Sequence, residues 1–179
     1  MRKKLTKIVL ATVLASMPLL ADKIAEVNPT KSLFAIEGSY NKTDFKSTGG
    51  HSKTDDFGGF GLKIGAQVKH YRIFLSGRMY AIKDFDYAYT YGGEVQYLFT
   101  FSKIANFYIG ANAGKAVMRQ SKDVGTISVD DFYYGGDTGF NIHASELIDV
   151  EMGVRAMQIN NFDNMATAYV SMIIKYDMD

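Results

Sequence analysis

Apolar and polar residues alternate along most of the chain from about residue 32 onward. Successive side chains of a β-strand point to opposite faces, so alternation with a period of two predicts strands. In the first segment one face carries Phe34, Ile36, Gly38 and Tyr40. Seven further segments with the same pattern begin at Phe60, Ile73, Tyr89, Phe107, Phe132, Ile148 and Ala166. Eight strands are therefore predicted, each with an apolar face that carries no charged residue.

The connections between these segments alternate in length. Long, polar connections are predicted after the odd segments, at residues 44–58, 83–88, 119–131 and 157–165. Short connections are predicted after the even ones, at residues 69–72, 102–106 and 145–147. This pattern is typical of an all-β, eight-stranded antiparallel up-and-down transmembrane β-barrel. The long loops would then be extracellular, and both ends of the barrel would lie on the periplasmic side.

The polar face decides between a membrane barrel and a soluble calycin-type barrel, whose apolar face would point inward around a ligand. It carries charges in mid-strand, and it is otherwise rich in glycine and small residues, as a narrow eight-stranded lumen requires. The predicted lumen charges are Glu37, Lys63, Arg78, Glu94, Asp137, Glu151 and Arg155. This composition favours the membrane barrel, with the charged face inside.

Aromatic residues on the apolar face gather near the strand ends, as in the interfacial girdles of membrane barrels. One predicted girdle contains Tyr40, Phe60, Tyr89, Tyr91, Phe132 and Tyr134. The other contains Phe99, Phe101, Phe107 and Tyr176.

The N-terminus has the order of a secretory signal peptide. Basic residues from Arg2 to Lys7 precede a short apolar run that ends at Ala21, which predicts a signal peptide over residues 1–21. Cleavage after Ala15 and a retained anchor are the alternatives. Residues 22–31 would form a short periplasmic segment, and residues 32–179 the barrel. The absence of cysteine excludes a lipidated Cys and disulfides, and the net charge of +1 argues against a nucleic-acid partner.

Together these features resemble the OmpA/OmpX-like eight-stranded outer-membrane barrels over residues 32–178. The last strand, from Tyr169 to Asp179, is similar to the insertion signal of that group, although Met178 stands where Phe or Trp is usual and Asp179 follows it. The resemblance implies a monomer in the outer membrane of a Gram-negative bacterium, in contact with lipid and lipopolysaccharide. It also implies that the barrel-assembly machinery reads the C-terminal strand. No wall-binding domain is expected.

The lumen charges suggest two functions. Because buried charges persist only when paired, they predict a salt-bridge network that closes the lumen of a structural or surface-interaction barrel. The alternative is a small low-conductance, porin-like channel, in which Arg78 or Arg155 exchanges partners among Glu37, Glu94 and Glu151.

A third hypothesis is a lipid A-modifying enzyme, but the histidines do not favour it. His51, His70 and His143 come from different ends and faces, so no Ser–His–acid set is predicted to converge. We therefore expect no catalytic residue, no metal site and no cofactor. An unidentified extracellular ligand would bind at the loops predicted at residues 44–58 and 119–131.

Overall fold

A computed structural model describes residues 31–46, 52–83, 85–120, 128–160 and 164–177. The predicted signal peptide, most of the predicted periplasmic segment, His51 and Met178 lie outside the described residues.

The chain forms a closed barrel of eight strands in the order β1 to β8, and each strand pairs antiparallel with its neighbours. The barrel closes between β1 and β8, where Phe34 pairs with Ile174. This confirms the predicted fold. The strands are β1 Lys31–Lys46, β2 Ser52–Val68, β3 Tyr71–Tyr80, β4 Phe85–Thr100, β5 Ala105–Gln120, β6 Ser128–His143, β7 Ile148–Ile159 and β8 Asn164–Asp177.

The two ends of the barrel are built differently. At the tight-turn end lie the β2–β3, β4–β5 and β6–β7 connections, the start of β1 and the end of β8. The β2–β3 turn is only Lys69 and His70, with Lys69 at φ 52°. The predicted turn at residues 69–72 was therefore too long. Arg72 belongs to β3 and pairs with Gln67, and strand alternation turns its side chain into the barrel.

The opposite end, here called the hairpin end, also differs from the prediction. The predicted loop at residues 44–58 is largely strand, because β1 continues to Lys46 and β2 begins at Ser52. The loops predicted at residues 83–88, 119–131 and 157–165 shrink in the same way. β4 already begins at Phe85, with a register irregularity before Tyr87, β5 and β6 pair as far as Arg119 and Ser128, and β7 and β8 pair as far as Gln158 and Asn164. The inward side chains of these extensions pack together inside the barrel, which favours pairing beyond the predicted ends. The predicted membrane orientation stays a prediction.

The apolar faces point outward and the charged faces inward. Leu75 and Met79 are 65% and 68% exposed, whereas Glu37 and Glu151 are fully buried. A soluble barrel would reverse this arrangement, because water disfavours a continuous apolar exterior. None of the described residues lies in a helix long and apolar enough to cross a membrane.

Candidate functional site: the filled lumen

Charged side chains fill the middle of the barrel. All seven predicted lumen residues lie inside and are at most 3% exposed. The structure adds three that were not among the predicted lumen charges, Arg72, Asp149 and Lys175, each at most 9% exposed. The described lumen therefore holds ten buried charges, five acidic and five basic.

Glu37 on β1 is the acceptor at the centre of this network. Its carboxylate accepts two hydrogen bonds from the guanidinium of Arg155, both of 2.9 Å, and a third of 2.9 Å from Nε of Arg78. Nζ of Lys63 lies 3.0 Å from its other oxygen. Arg78 also donates to Glu94. Three cations thus surround one fully buried carboxylate, where charge-assisted hydrogen bonds are strong.

The missing side chain at Gly61 lets Arg78 reach Glu37. In the sheet register Gly61 lies between Glu37 and Arg78 on the neighbouring strands. A Cβ atom at Gly61 would lie 3.0 Å from Cγ of Arg78 and 3.4 Å from Cβ of Glu37. Because glycine has no Cβ, the arginine can cross β2 and meet the carboxylate.

A second cluster lies toward the tight-turn end. Asp149 accepts from Arg72 at 2.9 Å, from Lys175 at 2.5 Å and from the amide of Asn141 at 3.0 Å. Arg72 also donates to Glu151 at 3.3 Å. Lys63 connects this cluster to the first, because its ammonium lies 3.3 Å from Glu151 and 3.6 Å from Glu94.

His143 belongs to the rim of this second cluster. Its Nδ1 lies 2.8 Å from Asp149, and its Nε2 lies 3.1 Å from the amide nitrogen of Asn106. The sequence analysis overlooked this His–Asp contact, because the two residues flank the β6–β7 turn on different strands. Among the described residues, no Ser or Thr hydroxyl contacts His143, and no group of three or more His, Cys, Asp or Glu side chains could hold a metal ion. His70 lies in its turn beside the ring of Tyr97.

Asp137 differs from the other lumen acids. It lies on β6 opposite Arg155 in the register, but the guanidinium of Arg155 binds Glu37 instead. The carboxylate of Asp137 accepts from the amides of Gln96 at 3.0 Å and Asn112 at 3.3 Å, and from the hydroxyl of Tyr169 at 3.2 Å. The described groups that donate hydrogen bonds to Asp137 are therefore all neutral.

Toward the hairpin end most of the buried inward side chains are apolar, with uncharged polar residues such as Asn41 and Thr167 among them, which corrects the expectation of a polar interior. Ten buried side chains form this apolar cap: Phe57, Tyr80, Ile82, Ala88, Ala116, Met118, Tyr133, Met157, Ile159 and Met165. Several of them had been assigned to loops, so their inward direction could not be recognised. The signal was available in the alternation, which continues through Met157 and Ile159 and resumes at Met165.

Nine of the ten predicted girdle residues lie on outward faces of the strands, and the tenth, Phe101, is exposed directly after the end of β4. At the tight-turn end their rings form a row that includes Tyr97–Phe99 with centroids 4.7 Å apart and Phe107–Phe140 with centroids 5.7 Å apart. Tyr71, Tyr97 and Phe140 belong to this row although the predicted girdle omitted them. The row therefore covers β3 to β6.

Comparison with known proteins identifies the fold family. The family model for the outer membrane protein β-barrel domain matches residues 8–172. A search of the curated proteins finds no significant match. Among solved structures, Neisserial surface protein A is similar with a TM-score of 0.64 at 14% identity, over 80% of this chain and 97% of that one.

Two further structures show the same fold. The attachment invasion locus protein Ail of Yersinia pestis has a TM-score of 0.57 at 13% identity, over 84% of this chain and 100% of that one. The N-terminal β-barrel domain of Pseudomonas aeruginosa OprF has a TM-score of 0.56 at 12% identity, over 78% of this chain and 97% of that one. With the family match and the eight strands of the structure, these similarities show that the chain belongs to the outer membrane protein β-barrel family of Gram-negative bacteria.

Proposed function

We propose that this protein is a structural or surface-interaction barrel whose lumen is closed. The observation that carries the proposal is the network around Glu37, in which Lys63, Arg78 and Arg155 meet one buried carboxylate below the apolar cap.

Two barriers in series support closure. An ion in the middle of the lumen would have to displace paired charges, and separating a buried pair leaves an uncompensated charge at a cost of about 3–5 kcal/mol. At the hairpin end the same ion would meet buried apolar side chains such as Met118, Met157 and Ile159. Apolar side chains offer no ligand to replace the lost water, and the buried amide of Asn41 at this level is already bonded to Thr167 and to the carbonyl of Phe57.

The hairpin end is the proposed interaction surface. At this end the paired strands extend beyond the predicted ends of β1, β5 and β6. Exposed charges such as Lys115 and Asp130, 3.0 Å apart, lie on its outer surface. Ail, which shares the fold, has been solved in complex with the heparin analogue sucrose octasulfate. An extracellular ligand of this protein would contact the residues predicted as loops 44–58 and 119–131.

The partners implied by the membrane setting remain part of the proposal. Lipid and lipopolysaccharide would contact the apolar exterior and its aromatic girdles. The barrel-assembly machinery would read β8, whose outward face carries Val170, Met172 and Tyr176.

The proposal excludes lipid A chemistry, because the His143–Asp149 pair has no hydroxyl nucleophile beside it in the described chain. Lipid A mass spectra of a deletion strain and its parent are expected to be identical. A mass difference that the wild-type gene restores would overturn this part of the proposal.

Planar-bilayer recordings test the closed lumen. The sample is purified barrel that migrates on a gel as the folded, heat-modifiable species. In about 1 M KCl, a concentration at which small pores carry a measurable current, its conductance is expected to stay close to background. Stable, uniform conductance steps from the same preparation would favour the low-conductance channel instead.

A further inference from the structure

The outer surface of the barrel carries a groove on the side of β6, β7, β8 and β1. Gly136, Ala156 and Ala166 pair in register across three neighbouring strands, and all three are exposed. Because none of them has a side chain larger than a methyl group, they form the floor of a groove of about 620 Å³. The outward side chains of Tyr40 and Val154 stand beside this floor. We call this depression the outer groove.

The outer groove slopes along the barrel, because the strands are staggered. The line of register partners that leaves β1 at Ser32 passes once round the barrel, crosses Gly136, Ala156 and Ala166, and returns to β1 at Lys42. Lys42 lies further along β1 than Ser32, toward the hairpin end. The groove followed from Lys42 across the three small residues therefore descends toward the tight-turn end.

Lys42 places a positive charge at the upper end of this groove. Its side chain is exposed and lines the groove. Its register partner on β2 is Asp56, but that carboxylate accepts a hydrogen bond from the hydroxyl of Tyr40. None of the described residues forms an ion pair with Lys42, whereas Lys115 lies 3.0 Å from Asp130. The ammonium of Lys42 is therefore available to an anionic group beside the groove.

A second groove adjoins the first on its tight-turn side. Its volume is about 600 Å³, and the two grooves share Tyr40, Val154 and Ala168. Apolar side chains such as Phe140 and Met152 line the second groove. Two apolar grooves below one cation fit a lipid that has several acyl chains and an anionic head. A second barrel fits less well, because a two-fold contact would set groove against groove and leave both unfilled.

We propose that the outer groove binds one molecule of lipid A, with a phosphate on Lys42 and acyl chains in the two adjoining grooves. The choice of lipid A rests on the proposed function, which places the hairpin end outside the cell, in the leaflet built from lipopolysaccharide. Acyl chains are as apolar in the bilayer as in the groove, so hydrophobic burial gives no preference for the site. The preference comes from close packing against the flat floor and from the charge of Lys42.

Native mass spectrometry of the folded barrel in an uncharged detergent tests the site. With lipid A added, we expect one molecule bound to each barrel at concentrations at which phosphatidylglycerol stays unbound. Lys42→Gln should weaken the binding of lipid A about fivefold, the size expected for one lysine near an anionic lipid surface. The matched control is Lys83→Gln, at an exposed lysine between β3 and β4 at the same end of the barrel, which should leave the binding unchanged.

Ala156→Leu tests the shape of the groove without changing any charge. The larger side chain takes the space of an acyl chain, so lipid A should bind less tightly by a similar factor. Ala66→Leu is its control, because Ala66 lines a smaller groove of about 470 Å³ that has no charged lining residue. The heat-modifiable gel shift checks that each variant is folded.

Equal binding of lipid A by the wild type, Lys42→Gln and Ala156→Leu would overturn the proposal and show that lipids cover the barrel unselectively. Equally tight binding of phosphatidylglycerol would overturn the choice of lipid A. A lipid-free dimer that Ala156→Leu abolishes would assign the groove to a second copy of the chain. The conductance of the folded barrel is measured separately, so the proposed closed lumen can stand when the lipid site fails.

Discussion

The two halves of the lumen are filled by opposite means. The half toward the tight-turn end holds ionic side chains such as Glu37, Lys63 and Arg72, whereas the half toward the hairpin end holds the apolar cap. Both leave buried side chains packed across an eight-stranded cylinder, whose interior is just wide enough for them. The difference teaches that the lumen is filled by more than one kind of interaction.

The two fillings differ in how they respond to damage. A network of paired charges fails steeply when one partner is lost, because the other partners stay buried without compensation. An apolar cap loses contacts and gains a cavity, at a cost set by the volume removed. Substitutions in each half therefore separate the two mechanisms.

The largest effect is expected for Glu37→Gln. The substitution keeps the shape but leaves Lys63, Arg78 and Arg155 around a neutral amide, so the free energy of unfolding should fall by about 3–5 kcal/mol. Urea unfolding in lipid vesicles, followed by the heat-modifiable gel shift, measures it.

The matched control is Glu146→Gln, which neutralises an exposed acid in the β6–β7 turn. Its unfolding free energy should change by less than about 0.5 kcal/mol. Equal effects of the two substitutions would show that the charge network does not stabilise the barrel.

A smaller effect is expected for Met157→Ala in the apolar cap. Met157 is 2% exposed, and removing a buried side chain of this size costs about 2–4 kcal/mol. The same unfolding assay applies. Met79→Ala, at an outward position that is 68% exposed, should lower the free energy of unfolding clearly less. A cost at Met79 as large as that at Met157 would contradict the packed cap.

The smallest effect is expected for Gly61→Ala. The new methyl group would press on Arg78 and Glu37, whose side chains are fixed by their hydrogen bonds. We therefore expect the free energy of unfolding to fall by about 1–2 kcal/mol. Gly77→Ala has nothing within 4 Å of its Cβ and should be neutral or stabilising by about 0.5 kcal/mol. If Gly61→Ala also stabilises the barrel, the glycine is not needed for the Arg78–Glu37 contact.

The sequence predicts the strand faces well because alternation is local. The face on which residues such as Glu37 and Lys63 lie can be predicted from the polarity of their immediate neighbours. The strand ends are harder, since Arg72 and Met157 are inward only because pairing continues past the expected turns. The pairing of Arg155 with Glu37 rather than Asp137 depends on side-chain reach across several strands, which no local pattern contains.

Single cysteines test the closed lumen most directly, because the natural chain has none. Ser171 faces inward at 1% exposure and pairs in register with both Glu37 and Glu151, whereas its neighbour Val170 faces outward at 53% exposure. The measurement is the labelling rate of Ser171→Cys and Val170→Cys in folded barrels within vesicles, using one charged, water-soluble thiol reagent and one lipid-soluble maleimide.

We predict that Val170→Cys reacts only with the lipid-soluble maleimide, and that Ser171→Cys reacts with neither reagent until the barrel is unfolded. Labelling of Ser171→Cys by the charged reagent in the folded barrel, at a rate close to that of the unfolded chain, would contradict a lumen closed by its own side chains.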